Sequence, residues 1–283
     1  MKDKIILKII YVFACIGFIF VLVFLLMEFG LLNVRGSIKE RNQFFGQVKK
    51  TDNTNGCLHA PETQDEEVLC AWVDTAEWEV VREGLKKDAS IIQDVSEKTG
   101  VPARMIAASV VPEQIRFFTS NRESFKRYFE PMKLLGSMSK FSLGVSGIKQ
   151  ETANYIEKYA NDAASPFYPG EGISKLLTYP EWVNHDTELY KRLTDEHNHY
   201  YSYLYTAVYL KEIEAQWKNA GFEVGDRPDV LVTLFNLGFK ASNPKPNPQV
   251  AGSLIYVGGK NYTFGVLGSS FYNSNELIDI FPN

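Results

Sequence analysis

Hydrophobic residues are arranged along this chain in three regimes. There is one unbroken run near the start, helical spacing through the middle, and short stretches between turn residues near the end. The run at 9–27, IIYVFACIGFIFVLVFLLM, carries no charge. At 1.5 Å per residue it reaches about 28 Å, enough to cross a hydrocarbon core of about 30 Å with help from its flanks. A cleaved leader has a shorter apolar stretch and a small-residue cut site, and the following EFGLLNVRGSIKE supplies no such site. Cys15 lies inside the run. The expectation is an uncleaved single-pass anchor, with 1–8 a cytoplasmic tail, 9–29 the membrane span, 30–73 a juxtamembrane stalk and 74–283 the main domain.

The stalk is polar, with Thr51-Asp52-Asn53-Thr54-Asn55-Gly56 an evident loop. Helical patterning starts at Asp74-Thr75, where either residue can cap and Glu77 falls in the first turn. Trp78, Val81, Leu85, Ile91, Ile92 and Val95 recur at helical intervals. Gly100 ends that helix and Pro102 opens the next. The second helix runs through Met105, Ile106, Ala107 and Ala108 towards Glu113. Pro112 should kink or end it, because the ring removes a donor and clashes with the preceding turn. Such a break either re-aims Glu113 into a cleft or marks the helix end. Residues 121–141 are charged and aromatic and read as an inserted helix and loop over the cleft. The longest helical region is 181–220, with Tyr200, Tyr201, Tyr203, Tyr205 and Tyr209. Another helix is expected over Pro228–Leu237. Pro244, Pro246 and Pro248 then exclude a helix, and Leu254-Ile255-Tyr256-Val257 with Tyr262-Thr263-Phe264 reads as a hairpin around Gly258-Gly259. The pattern predicts a mainly α fold with a small C-terminal β-hairpin.

Composition narrows the classes. With 283 residues, 45% of them hydrophobic, the chain can build one sizeable core or two small ones. A net charge of −4, with no basic stripe interleaved with aromatics, excludes a general nucleic-acid binder. The aromatic share of 13% suits sugar rings but serves ordinary cores as well. Lys2, Lys4 and Lys8 before the span are balanced by Arg35, Lys39 and Arg41 after it, so charge orients the span weakly. Cys57 and Cys70, the cysteines outside the run, are an even pair that suits an oxidising compartment. A bond between them would close a short loop for about 3 kcal/mol; the alternative is two free thiols. No metal is expected, since there is no Cys-x-x-Cys and His59 stands alone. His185, His197 and His199 sit among Asp186, Asp195 and Glu196, yet residues two apart share no helix face, so a solvated polar face is expected. No phosphate loop, dinucleotide fingerprint or Gly-x-Ser-x-Gly occurs, and no cofactor is expected.

The most specific pattern is Ser142-Leu143-Gly144-Val145-Ser146-Gly147-Ile148-Lys149-Gln150, downstream of Val111-Pro112-Glu113-Gln114. Its Ser-x-Gly-x-x-Gly-x-x-Gln spacing resembles the signature of lytic transglycosylases of the lysozyme-like superfamily. Thr152-Ala153 is similar to the family's Thr-Ala, Thr99-Gly100-Val101-Pro102 to the way it introduces its catalytic helix, and Phe235-Asn236-Leu237-Gly238 to its Tyr-Asn-Ala-Gly element. Tyr209-Leu210 fits its Tyr-Leu. The likeness covers roughly residues 95–240. Gln114 stands where the family usually has Ser, Pro112 is unusual there, and the connection from Glu113 to Ser142 is longer than usual.

What the resemblance implies is a lysozyme-like helical domain that cleaves peptidoglycan glycan strands without a cofactor. Glu113 would be the single acid/base and Ser142 a polar group near it. Gly144 and Gly147 would let backbone approach the sugar, and Tyr209 would orient the glutamate. Gln150 and Asn236 would bond either the substrate's acetamido and peptide parts or the cleft's own backbone. Protonating a bridging oxygen near neutral pH needs a desolvated carboxyl group, and the apolar approach to Glu113 offers that. In the family the same glutamate then serves as base while the muramyl 6-hydroxyl closes a 1,6-anhydro ring. The implied setting is a bacterial cytoplasmic membrane with the domain outside the cytoplasm, and an envelope or secretion machine as partner. Two alternatives stand beside it. One is a catalytically weak wall-binding scaffold, favoured by the departures. The other is a hydrolytic muramidase with Glu123 or Glu130 as second carboxylate. Glu123-Ser124 mimics a catalytic dipeptide, but its charged flanks place it on a surface.

Overall fold

The computed structural model describes residues 70–117, 142–195 and 197–283, together with eight scattered positions between Lys8 and Leu22. Those eight are helical and exposed, and the rest of the 9–27 run lies outside the described residues. Among the described residues no helix is long and apolar enough to cross a membrane. Cys57, Glu123, Glu130 and the insertion at 121–141 also lie outside them. Cys70 is disulfide-bonded.

The domain is mainly α. Helices α1 (Ala76–Lys87), α2 (Ala89–Thr99) and α3 (Ala103–Phe117) are followed by a two-residue hairpin, β1 (Ser142–Leu143) and β2 (Ile148–Lys149). Then come α4 (Gln150–Ala160), the short α5 (Ile173–Leu176), α6 (His185–Thr194), α7 (Tyr200–Asn219) and α8 (Pro228–Leu237). A 3-10 turn (Phe239–Ala241), the hairpin β3 (Leu254–Val257) and β4 (Lys260–Thr263), and α9 (Phe264–Asn273) complete the chain. β3 and β4 pair antiparallel with Val257 opposite Lys260, so Gly258-Gly259 form the expected turn.

Thr75 caps α1 through its hydroxyl, which accepts from the Trp78 amide, and Gly100 ends α2 in the left-handed region. The single helix expected from 74 to 100 is nevertheless two. Asp88 interrupts it, because its buried carboxylate is drawn inwards to accept from Tyr203 Oη at 2.7 Å and to meet His199 Nδ1 at 2.5 Å. His199 is therefore a core histidine, against the expected solvated face. The long helical region expected at 181–220 is also broken, into α6 and α7, where Asp195 turns the chain by accepting from the amides of His197 and Asn198.

The third correction concerns the helix end that Pro112 could mark: α3 continues past it to Phe117. Proline leaves the carbonyl of residue i−4 without its helical donor, and that residue is Ala108. A methyl added at Gly268 of α9 would come within 2.7 Å of the Ala108 oxygen, so the freed carbonyl is covered by the backbone of a neighbouring helix. Helix α3 forms the axis of the core, packed against α1, α2, α7, α8 and α9, with Met105 to Val111 buried throughout. The core also takes in a residue ahead of position 74. Trp72 is fully buried, stacks edge-on against Trp78 at 4.8 Å and donates to Ser270 Oγ.

At the N-terminal end of α3, the Arg104 side chain is wholly buried. It donates to the carbonyls of Phe271, Tyr272, Ser274, Glu276 and Phe281, at 2.5 to 3.0 Å. The carbonyls ending a helix carry partial negative charge, and a cation there satisfies them. Burial lowers the pKa of Arg104 from its ordinary value.

Candidate active site

Glu113 is positioned by the C-terminal half of α3, and its side chain is 11% exposed. Opposite it lies the turn 144–147 that joins β1 to β2. Both glycines of that turn have positive φ, +62° at Gly144 and +63° at Gly147, a region that side chains disfavour. They serve different neighbours. A methyl at Gly144 would sit 2.0 Å from the Leu193 carbonyl, whereas one at Gly147 would sit 2.2 Å from Glu113 Oε1. The first glycine seats the turn on α6, and the second lets the turn lie against the carboxylate.

Two further bonds hold the turn. Ser146 donates to the Ser202 carbonyl at 3.0 Å. Gln114, buried beside Glu113, donates through Nε2 to the Val145 carbonyl. The residue that departs from the family's usual Ser thus ties the turn to α3.

These elements enclose a cleft of about 500 Å³. Glu113 and Arg116 of α3, Gly147 of the turn, Glu151, Tyr155 and Tyr159 of α4, and Tyr209, Asn236, Phe239 and Lys240 are among the residues that line it. Tyr155 and Tyr159, one helical turn apart on α4, stack at 5.9 Å. Phe239 meets Tyr159 edge-on at 4.9 Å and Tyr209 at 4.3 Å. Across the rim, Lys240 Nζ lies 3.7 Å from Glu151 Oε1.

Of the residues anticipated from sequence, Glu113, Gly147, Tyr209 and Asn236 line this cleft. Gly144 supports it from behind. Gln150, at the start of α4, is not among the lining residues, and the side chain of Ser142 lies outside the described residues. Tyr209 makes no hydrogen bond to Glu113. Its buried hydroxyl lies close to the Phe239 amide without reaching bonding geometry. Burial first, then nearby Glu212, raises the pKa of that phenol. Asn236 Oδ1 accepts from the Ser253 amide at 2.8 Å and from its hydroxyl at 3.2 Å, holding the loop before β3.

Sequence reading missed Arg116. Its Nη2 donates to both Glu113 oxygens at 2.7 Å, and Nη1 lies 3.5 Å from Ser253 Oγ. The i,i+3 spacing of Glu113 and Arg116 on a helix was the available signal. Glu212 was missed too. It is fully buried one turn beyond Tyr209, both oxygens without a hydrogen-bond partner among the described residues, and burial raises its pKa far above the ordinary value. No group of three or more potential metal ligands occurs among the described residues.

Comparison with family models, with curated proteins and with solved structures gave no match to this chain.

Proposed function

We propose that this protein is a membrane-anchored glycosidase of the lytic-transglycosylase type, with a lysozyme-like domain that cleaves peptidoglycan glycan strands outside the cytoplasm. The observation that carries the reading is the contact between the Gly147 turn and the Glu113 carboxylate in an aromatic-walled cleft. In the proposed reaction the Glu113 carboxyl protonates the bridging oxygen as the glycosidic bond breaks. The carboxylate then takes the proton of the muramyl 6-hydroxyl as that oxygen bonds the anomeric carbon. Glu113 is regenerated, and no water is consumed. The 9–27 run would be the anchor, and protease added to spheroplasts should digest the domain.

A second reading, a wall-binding scaffold without turnover, is favoured by the Arg116 guanidinium, which engages both Glu113 oxygens. A third is hydrolysis. Glu151 is the other carboxylate lining the cleft among the described residues, and a hydrolase needs such a partner.

Mass analysis of digested wall separates the three. The expected result is soluble fragments with anhydro ends from wild type, and release slowed by roughly 10²–10⁴-fold in Glu113→Gln, the usual worth of acid–base catalysis. Equal release by both proteins would sink the assignment of Glu113. Binding without release supports the scaffold, and reducing ends support the muramidase.

A further inference from the structure

The mouth of the cleft carries charges that bond cleavage leaves unused. Lys149, Glu151 and Lys240 line it, all three of them exposed. Lys149 ends β2 with its side chain outward, where its neighbour Ile148 is buried, and that side chain makes no ion pair or hydrogen bond among the described residues. Two residues on, Glu151 stands in the first turn of α4. Lys240, on the 3-10 turn, reaches it at 3.7 Å, with the two side chains 84% and 53% exposed. A pair so open to water contributes little, so a ligand can take either partner at small cost. Two ammonium groups and one carboxylate thus face solvent at the cleft of a chain whose net charge is −4. Sugar hydroxyls and acetamides are neutral and call for none of them. The short peptide on a muramyl residue does, because its carboxylates are anions and its side-chain amine is a cation until a cross-link acylates it.

We propose that Lys149, Lys240 and Glu151 form a subsite for the peptide of a wall strand, and that the cleft selects strands whose peptides are not cross-linked. The proposal rests on the glycan-cleaving reading and adds the part of the substrate that the sugars do not specify. The peptide's carboxylates meet the two lysines, and its free amine takes the place of Lys240 beside Glu151. Every charge released at the mouth is thereby matched again. A cross-link turns the amine into a neutral amide. Glu151 then keeps Lys240, and the carboxylates find one cation fewer.

The test uses the full-length wild-type protein in detergent at low ionic strength, with wall tetrasaccharides whose cleavable bridging oxygen is replaced by sulfur. Binding is measured for the peptide-bearing form, for the same form with its amine acetylated, for the form with its peptide carboxylates amidated, and for a peptide-free form with amidated lactyl groups. The unmodified peptide form should bind roughly tenfold more tightly than the amidated one and about threefold more tightly than the acetylated one, as for exposed ion pairs. Both differences should shrink as salt is added. Lys149→Gln combined with Lys240→Gln should erase the first difference. Glu151→Gln should erase the second and keep the first, a matching of charge to residue that steering by overall charge would not produce. Lys158→Gln, at an exposed lysine of α4 outside the cleft lining, should change neither. Exposed substitutions of this kind leave the fold intact, and every variant should bind the peptide-free form as wild type does. Equal affinity for the unmodified and amidated forms, a preference that survives in the double lysine variant, or an equal loss in Lys158→Gln overturns the subsite and leaves the glycan reading standing. Equal affinity for the unmodified and acetylated forms overturns the selection against cross-links. No binding by any of the four overturns the glycan reading, and this proposal with it.

Discussion

Helix α3 carries an arginine near each end, and the two are held in opposite ways. Arg104 is sealed from solvent and its donors are spent on five backbone carbonyls. Arg116 is part-exposed in a cleft, and it bonds both oxygens of a carboxylate side chain. Carbonyls of a packed chain cannot leave, so the first cation is a fixture of the fold. A carboxylate side chain can turn about its own bonds, so the second cation is held less firmly. The same residue type on one helix is thus locked by backbone at one end and paired with a side chain at the other.

The contrast is broken most directly at Arg104. Arg104→Ala should cost roughly 3–5 kcal/mol, since several buried carbonyls lose their donors together. Thermal or denaturant unfolding measures it. A loss under about 1 kcal/mol would mean that water reaches those carbonyls and that the sealed end is not sealed. Arg116→Ala should cost only about 1 kcal/mol of stability, as a part-exposed ion pair does.

The two glycines of the 144–147 turn sharpen the same distinction. Gly144→Ala drives a methyl into the Leu193 backbone and should lower stability by about 2 kcal/mol, combining left-handed strain with overpacking. Gly147→Ala meets a side chain instead, the Glu113 carboxylate. It should cost nearer 1 kcal/mol in stability while lowering glycan cleavage by about tenfold or more, since a displacement near 1 Å at a reacting group is felt strongly. If both variants lose stability alike and Gly147→Ala cleaves normally, the turn is scaffolding alone.

The smallest expected effect lies between α4 and α6. His185 bridges α6 to α4 through Glu157 Oε2 at 2.5 Å. Burial lowers its pKa, but the bonds to Glu157 and Asp186 outweigh that, so the net shift is upwards from 6.5. A raised value stabilises the fold fully below pH 6.5, and that contribution is lost as pH rises through the folded value. Wild type should therefore show a small decline in melting temperature from mildly acidic to mildly basic pH that His185→Gln lacks. Equal slopes would show that the imidazole does not sense Glu157.

Much of the helical layout was legible in the sequence because its signals are local. Thr75 and Gly100 act within one turn of where they stand, Pro228 opens its helix, and Gly258-Gly259 close a hairpin between matched strands. Two of the errors share a physical root. Asp88 and Pro112 are read locally as a helical residue and a helix breaker, whereas partners far along the chain decide the outcome or make it tolerable; Asp195 turns the chain through amides only two and three residues on. His199 and Tyr203 pull Asp88 inwards, and Gly268 covers the carbonyl that Pro112 leaves free. In the cleft, Glu113 and the Gly147 turn could be picked out by spacing. Arg116 and Glu212 could not be weighed, because an i,i+3 charge pair is usually a surface feature and a glutamate on a polar-looking helix gives no sign that it will be buried.

The Arg104 socket also fixes a sequence of events during synthesis. Its acceptors extend to Phe281, so the central helix of the domain emerges long before the carbonyls that neutralise it. Trp72 and Trp78 wait in the same way, for Ser270 and Glu276. Until that late segment arrives, the first third of the domain holds an unaccommodated cation and two open indoles, and it cannot close into a stable intermediate. Closure of the core around α3 is thereby deferred to one late step, when residues 270–281 have been made.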